Sequence, residues 1–178
     1  MLVLSYILSI LGLLSMICAS LIKGKNMKLI LFFVFCGNVL VATSYLVGGS
    51  GINGAAACYL GGLQTLINYF FESKNKPLPK WLIATYALAI IVLNIWVAKG
   101  ISALGILVIV ASLTFILCIG QKNGAKYRFW TTVNMILWCI YDILSKSYSV
   151  LLTHIPQLTF TIVGTIIHDR KKNSAINL

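Results

Sequence analysis

Asn134, Trp138, Tyr141 and Asp142 sit at helical spacing inside a run that is otherwise apolar. Steps of three, four and seven residues return to the same side of a helix, so the four share one face. Asn38 and Tyr45 repeat the first and third of these residues at the same seven-residue step. An amide in hydrocarbon costs several kcal/mol unless something answers its donor and acceptor. Both asparagines must therefore face a neighbouring helix, where the bond is worth about 0.6–2 kcal/mol, or a wet cavity holding a polar solute. Gln64 and Asn68, one turn apart, form a second polar stripe with Gly61 and Thr65, and His154, Gln157, Thr161 and Thr165 form a third. Asp142 is the only acid inside an apolar run, which makes it a candidate for ion coupling. Two local alternatives stand beside that reading: an i,i+4 ion pair with Lys146, and a pairing with His154 across a short turn.

Other chemistries find little support. The two histidines and three acids form no nucleophile–base pair at a telling spacing, so the chain does not read as an enzyme. The cysteines at 18, 36, 58, 118 and 139 all fall inside apolar runs, without a CxxC or a Cys/His cluster, so neither a metal nor another cofactor is expected. No phosphate-binding glycine loop of the GxxxxGK[ST] kind occurs.

The elements that carry these residues follow from composition. Of 178 residues, 60% are hydrophobic and 10% charged, against roughly a quarter charged in soluble domains. Runs bounded by charge, Gly or Pro predict seven membrane-spanning helices, over 2–22, 29–47, 54–71, 81–98, 101–119, 127–145 and 149–167. The first run lacks a basic leader and its lysines follow it, so it reads as a retained span.

The net charge of +11 would suggest nucleic acid as a partner of a soluble protein, but here the basic residues sit in short loops. Lys23, Lys25, Lys28, Lys74, Lys76, Lys80, Lys122, Lys126, Arg128, Arg170, Lys171 and Lys172 fall on one side, and only Lys99 and Lys146 on the other. Basic loops resist translocation, which places the N-terminus outside and the C-terminus in the cytoplasm. The expected partners are the lipid bilayer and a small-molecule solute, with a second copy of the chain as a further candidate and no nucleic acid.

Sliding the chain on itself by 96 residues (134 minus 38) aligns spans one, two and three with five, six and seven. Asn38 then meets Asn134, Tyr45 meets Tyr141, Thr65 meets Thr161 and Lys76 meets Lys172. Three spans per copy would insert tandem copies upside down, so the unmatched fourth span restores a parallel pair. The expected organisation is an all-α polytopic membrane protein of two three-helix bundles, 1–76 and 99–178, joined by a linker region, 77–98, that holds helix four.

This 3+1+3 pattern resembles the SWEET and SemiSWEET sugar transporters and the PnuC vitamin transporters. The stretch "FWTTVNMILWCIYDILSKSYS", followed by a short span and "HDRKK", is similar to the YgjV-type bacterial inner membrane proteins. The resemblance implies a bacterial inner membrane location and a transporter of a sugar- or vitamin-like solute, working by alternating access, facilitated or ion-coupled. Sugar-transporting relatives use asparagines and tryptophans in ways that favour Asn68 and Trp138, whose repeat partners here are Gly164 and Ala42. Spans one and five lack the Pro-Gln pair of the PQ-loop group; Pro156-Gln157 lies in span seven instead. Asn38, Gln64, Asn68, Asn134, Trp138, Gln157 and Thr161 are the expected solute ligands, with Tyr45, Tyr141, Asp142 and His154 toward an outer mouth or in coupling. A receptor or assembly protein on the same scaffold is the alternative from another class.

The charge asymmetry has a direct check in a cysteine-free background. A cysteine at Lys146 or Ser50 is expected to react with an impermeant thiol reagent applied outside intact cells. One at Lys76 or Lys122 is expected to react only after permeabilisation, and the reverse pattern would invert the topology.

Overall fold

The computed structural model describes residues 2–23, 26–49, 51–97 and 102–168. Ser50, Lys99 and the tail with Arg170, Lys171 and Lys172 lie outside the described residues, as does Asp169. Seven helices make up the described chain: α1 (Leu2–Leu21), α2 (Met27–Gly48), α3 (Ile52–Ser73), α4 (Lys80–Val97), α5 (Ala103–Ile119), α6 (Gly124–Leu144) and α7 (Tyr148–His168). The protein is a polytopic α-helical membrane protein. By length and composition α1, α2, α4 and α7 can each cross a membrane, and α5 is an apolar helix of 17 residues. The polar residues that dilute α3 and α6 are buried, among them Gln64, Thr65 and Asn68 on the former and Thr131, Asn134 and Asp142 on the latter.

Local chemistry sets the helix ends. Ser102 caps α5 by accepting the N–H of Gly105 at 3.0 Å, and Asn123 caps α6 by accepting that of Ala125 at 2.9 Å. The Asn123 cap is why α6 begins at Gly124, three residues before the apolar run itself. Pro77 and Pro79, close together between α3 and α4, keep the two helices from merging, because each lacks a backbone N–H and turns the residue before it away from the helical conformation. Gly49 and Gly51, with φ of 68° and 70°, take the left-handed conformation that lets α2 turn tightly into α3.

Helices α1, α2, α3, α5, α6 and α7 pack in that order as a closed ring, with α7 returning to α1. Helix α4 stands outside it, against α3 and α5. Only Leu82, Tyr86, Ile90 and Asn94, a single stripe of four-residue steps, are buried on α4, while Trp81, Leu88, Val92 and Trp96 are exposed to the surrounding lipid.

Small hydroxyl residues hold α1 to both of its ring neighbours, α2 and α7. Ser44 Oγ lies 2.9 Å from Ser5 Oγ and 2.7 Å from Ser9 Oγ, and Ser5 Oγ reaches Ser149 at 3.0 Å. Further along, Thr153 donates to the Ser9 carbonyl and Ser20 meets Thr161 at 3.1 Å. Small residues let backbones approach, and van der Waals contact then holds helices that gain nothing from leaving an apolar solvent. Gly164 marks the tightest point, since a Cβ built there would stand 2.7 Å from the Ser20 carbonyl oxygen. Gly164→Ala should cost about 1–3 kcal/mol through overpacking against a backbone that cannot yield. Denaturant unfolding of the purified protein reads this, and an unchanged midpoint would show that the α1–α7 seam is looser than described.

Candidate functional site

Asp142 sits near the C-terminal end of α6 with no exposed surface. One carboxylate oxygen accepts the hydroxyl of Tyr45 from α2, and the other lies 2.6 Å from Nδ1 of His154 on α7. Three helices thus meet on one carboxylate. Lys146 takes no part. Helix α6 ends at Leu144, the backbone turns at Lys146 with φ of 58°, and the exposed lysine is carried away from the carboxylate. Of the two local alternatives open for Asp142, the histidine pairing is the one present.

Aromatic rings surround this tie. Trp138 stacks at a tilt on His154, with centroids 5.7 Å apart, and meets Tyr141 edge-on at 5.5 Å. Tyr45 and Tyr141, the repeat-related tyrosines, contact each other at 6.3 Å. The α2–α3 turn lies directly over them. A Cβ on Gly51 or Gly54 would come within 3.0 Å of the Tyr45 ring, and the Gly54 N–H donates to the Tyr141 hydroxyl at 3.1 Å. Tyr45, Tyr141, Asp142 and His154, expected toward an outer mouth or in coupling, are all buried. They seal one end of the ring.

Below the seal lies a cavity to which all seven helices contribute. The space open to the centre of a water molecule is about 30 Å³, room for about two waters. Asn38, Gln64, Asn134, Trp138, His154 and Gln157 line it, together with Ser112 and Cys58, and among the described residues no Asp, Glu, Lys or Arg does. Their polar atoms are unequally answered. Asn134 donates to the Ala111 carbonyl at 2.6 Å and to Thr114 at 3.0 Å, both on α5, and Asn38 donates to Val34 on its own helix at 2.9 Å. The oxygens of both amides make no hydrogen bond to a described residue. Gln64 goes further: it is 1% exposed, and neither its Oε1 nor its Nε2 has a partner. The Ser112 hydroxyl is in the same condition.

Two of the expected ligands stand elsewhere. Asn68 donates to the Ile119 carbonyl at 3.1 Å and accepts the Tyr86 hydroxyl at 3.2 Å, tying α3 to α4 and α5 away from the cavity. Thr161 is consumed in the α1–α7 seam by Ser20 and by the Gln157 carbonyl. Both lie on the helix faces that spacing predicts, but a face is shared by a cavity and by neighbouring helices at different depths. Ser112 and Cys58 were not singled out, since a lone serine or cysteine in an apolar run carries no spacing signal. The "GGSGING" run from 48 to 54, in contrast, does mark a tight turn in the sequence.

The family described as bacterial inner membrane protein, Imp-YgjV, matches residues 3–172. The chain belongs to this family, which accords with its helical membrane fold. Among curated proteins and among solved structures, no significant match is found.

The tie on Asp142 makes a specific demand on stability. Replacing His154 with Phe leaves a buried carboxylate with Tyr45 alone and should cost about 3–5 kcal/mol. Adding Asp142→Leu to that variant should recover most of the loss, because the uncompensated group is then gone. A double variant no more stable than the single one would mean that the pair does not act as a unit.

Proposed function

We propose that this protein carries a small, uncharged, hydrogen-bonding solute of sugar- or vitamin-like size across the bacterial inner membrane, with its N-terminus outside. The observation that supports this most directly is Gln64. A buried carboxamide with neither end satisfied costs about 1–3 kcal/mol for each group left unmade, and folds seldom keep one without use for it. Here it faces a cavity whose other lining groups, the Asn38 and Asn134 oxygens and Gln157, present the complementary donors and acceptors of a neutral polar ligand. Among the described residues no Asp, Glu, Lys or Arg lines the cavity, which argues against a charged solute.

With room for about two waters, the cavity takes a solute only when helices part. The first three helices meet the last three at the α3–α5 and α1–α7 seams, at a smaller α2–α7 contact and through the Tyr45–Asp142 tie between α2 and α6. Rocking about these seams, with α4 outside as the connector, would expose the cavity to alternate sides, in the manner expected of a 3+1+3 transporter. Flux in proteoliposomes separates this reading from a receptor that binds without transport.

Gln64→Leu tests the site without the ambiguity of a damaged fold. Leucine fills a similar volume and removes two unanswered groups, so the variant should be as stable as the parent or more so. A metabolite that raises the apparent melting temperature of the parent by mass action should then have no such effect on the variant. Retained ligand stabilisation in Gln64→Leu would remove the cavity from the binding site.

A further inference from the structure

The environment of Asp142 lacks the one thing that a buried carboxylate ordinarily requires, a permanent positive charge. Among the described residues, no Lys or Arg comes within ion-pair distance of it; its charged partner is His154 alone. The titratable groups around it are Tyr45 from α2, Cys58 from α3, Cys139 and Tyr141 from α6, and His154 from α7. Phenols and thiols are ordinarily uncharged near neutral pH. Helix α1 adds only the hydroxyls of Ser5 and Ser9, one helix removed. The sole counter-charge available is therefore a proton.

From this we infer that Asp142 and His154 form a proton-binding site that latches the sealed end of the helix ring. With one proton between them the pair is neutral overall, whichever atom carries it, and can stay dry beneath Gly51, Gly54 and the two tyrosines. Without that proton the site holds a net negative charge with no water, which a low-dielectric interior resists strongly. The sealed end then has to open, so that water can reach the carboxylate and the Tyr45–Asp142 tie between α2 and α6 can part. His154 spends Nδ1 on Asp142 and is itself a lining residue of the cavity, so Nε2 is the ring nitrogen left to pass the proton on to the solute compartment. One N–H or O–H bond forms on closure and breaks on opening, with water as donor and acceptor.

The sign of the pH effect follows directly. The sealed form binds one proton more than the open form, so falling pH favours sealing and rising pH favours opening. As a coupling step this rests on the transport reading above, because a site that must take up a proton to close carries that proton through the cycle. As a latch it needs no solute.

Spin labels at Leu46→Cys and Leu144→Cys, both exposed on α2 and α6 at the sealed end, report the separation by pulsed dipolar spectroscopy. The five native cysteines are replaced by alanine, and size-exclusion chromatography confirms that each labelled protein is folded. As the buffer is taken from acidic to alkaline, the short distance should dominate at the acid end and a longer one should grow at the alkaline end. Asp142→Asn, neutral at every pH, should hold the short distance throughout. Tyr45→Phe should keep the pH response but raise the long-distance fraction at both ends. If Asp142→Asn does not fold, His154→Gln is read instead, and its midpoint should move away from the parent's. An unresponsive parent, a response that survives Asp142→Asn, or an unmoved midpoint in His154→Gln overturns the latch. A solute that stabilises the protein through Gln64 while the distance ignores pH also overturns it and leaves the transport reading intact.

Discussion

A carboxylate with no exposed surface in an apolar protein has to be answered by its immediate neighbours, and the answer given to Asp142 organises one whole end of the molecule. Tyr45 must come from α2 and His154 from α7, so three helices are brought to one point. Trp138 then packs at a tilt against His154, and Tyr141 is placed where it accepts the Gly54 N–H. The glycine-rich turn over the tyrosines completes the arrangement, because side chains at 51 and 54 would strike those rings. Local structure at that end is thus subordinate to the solvation of a single charge.

Elsewhere the chain treats polar groups in two distinct ways. At the ring seam every serine and threonine described has a partner, and the hydroxyls act as short-range adhesive between closely approaching backbones. Around the cavity the amide nitrogens of Asn38 and Asn134 donate to backbone carbonyls, while Gln64 and the Ser112 hydroxyl find no partner among the described residues. Burying groups this way lowers stability. Among the described residues the Asn53 and Asn94 oxygens are unanswered as well and line no part of the cavity, so what sets Gln64 apart is that both ends of one carboxamide are left open beside it.

Much of the fold was legible because hydrocarbon imposes a simple rule: a span must be apolar for about 20 residues and charges must lie outside it. All seven helices fall where charge-bounded runs place them, with ends displaced by a few residues where caps such as Asn123 extend a helix beyond its apolar stretch. The 96-residue offset matched Asn38 with Asn134, and both line the cavity. Partner choice was not legible. Periodicity identifies the side of α7 that carries Gln157 and Thr161, but only packing decides that the first meets a cavity and the second meets Ser20. Likewise, Lys146 stands four residues after Asp142, and what removes it is a backbone turn, not its position in the sequence.

The closed ring has a consequence for how the protein is made. Helix α1 leaves the ribosome first and its final neighbour, α7, last, so the face that will form the seam waits in lipid while the intervening helices are synthesised. An asparagine or glutamine exposed there would wait at high cost, since its amide cannot satisfy itself fully within one helix. A serine can turn its hydroxyl back onto the carbonyl four residues earlier, as Ser20 does with Met16 at 3.0 Å, and release it when a better partner arrives. The first helix writes its polar face in serine, and the carboxamides are reserved for helices whose neighbours are already present or soon to follow.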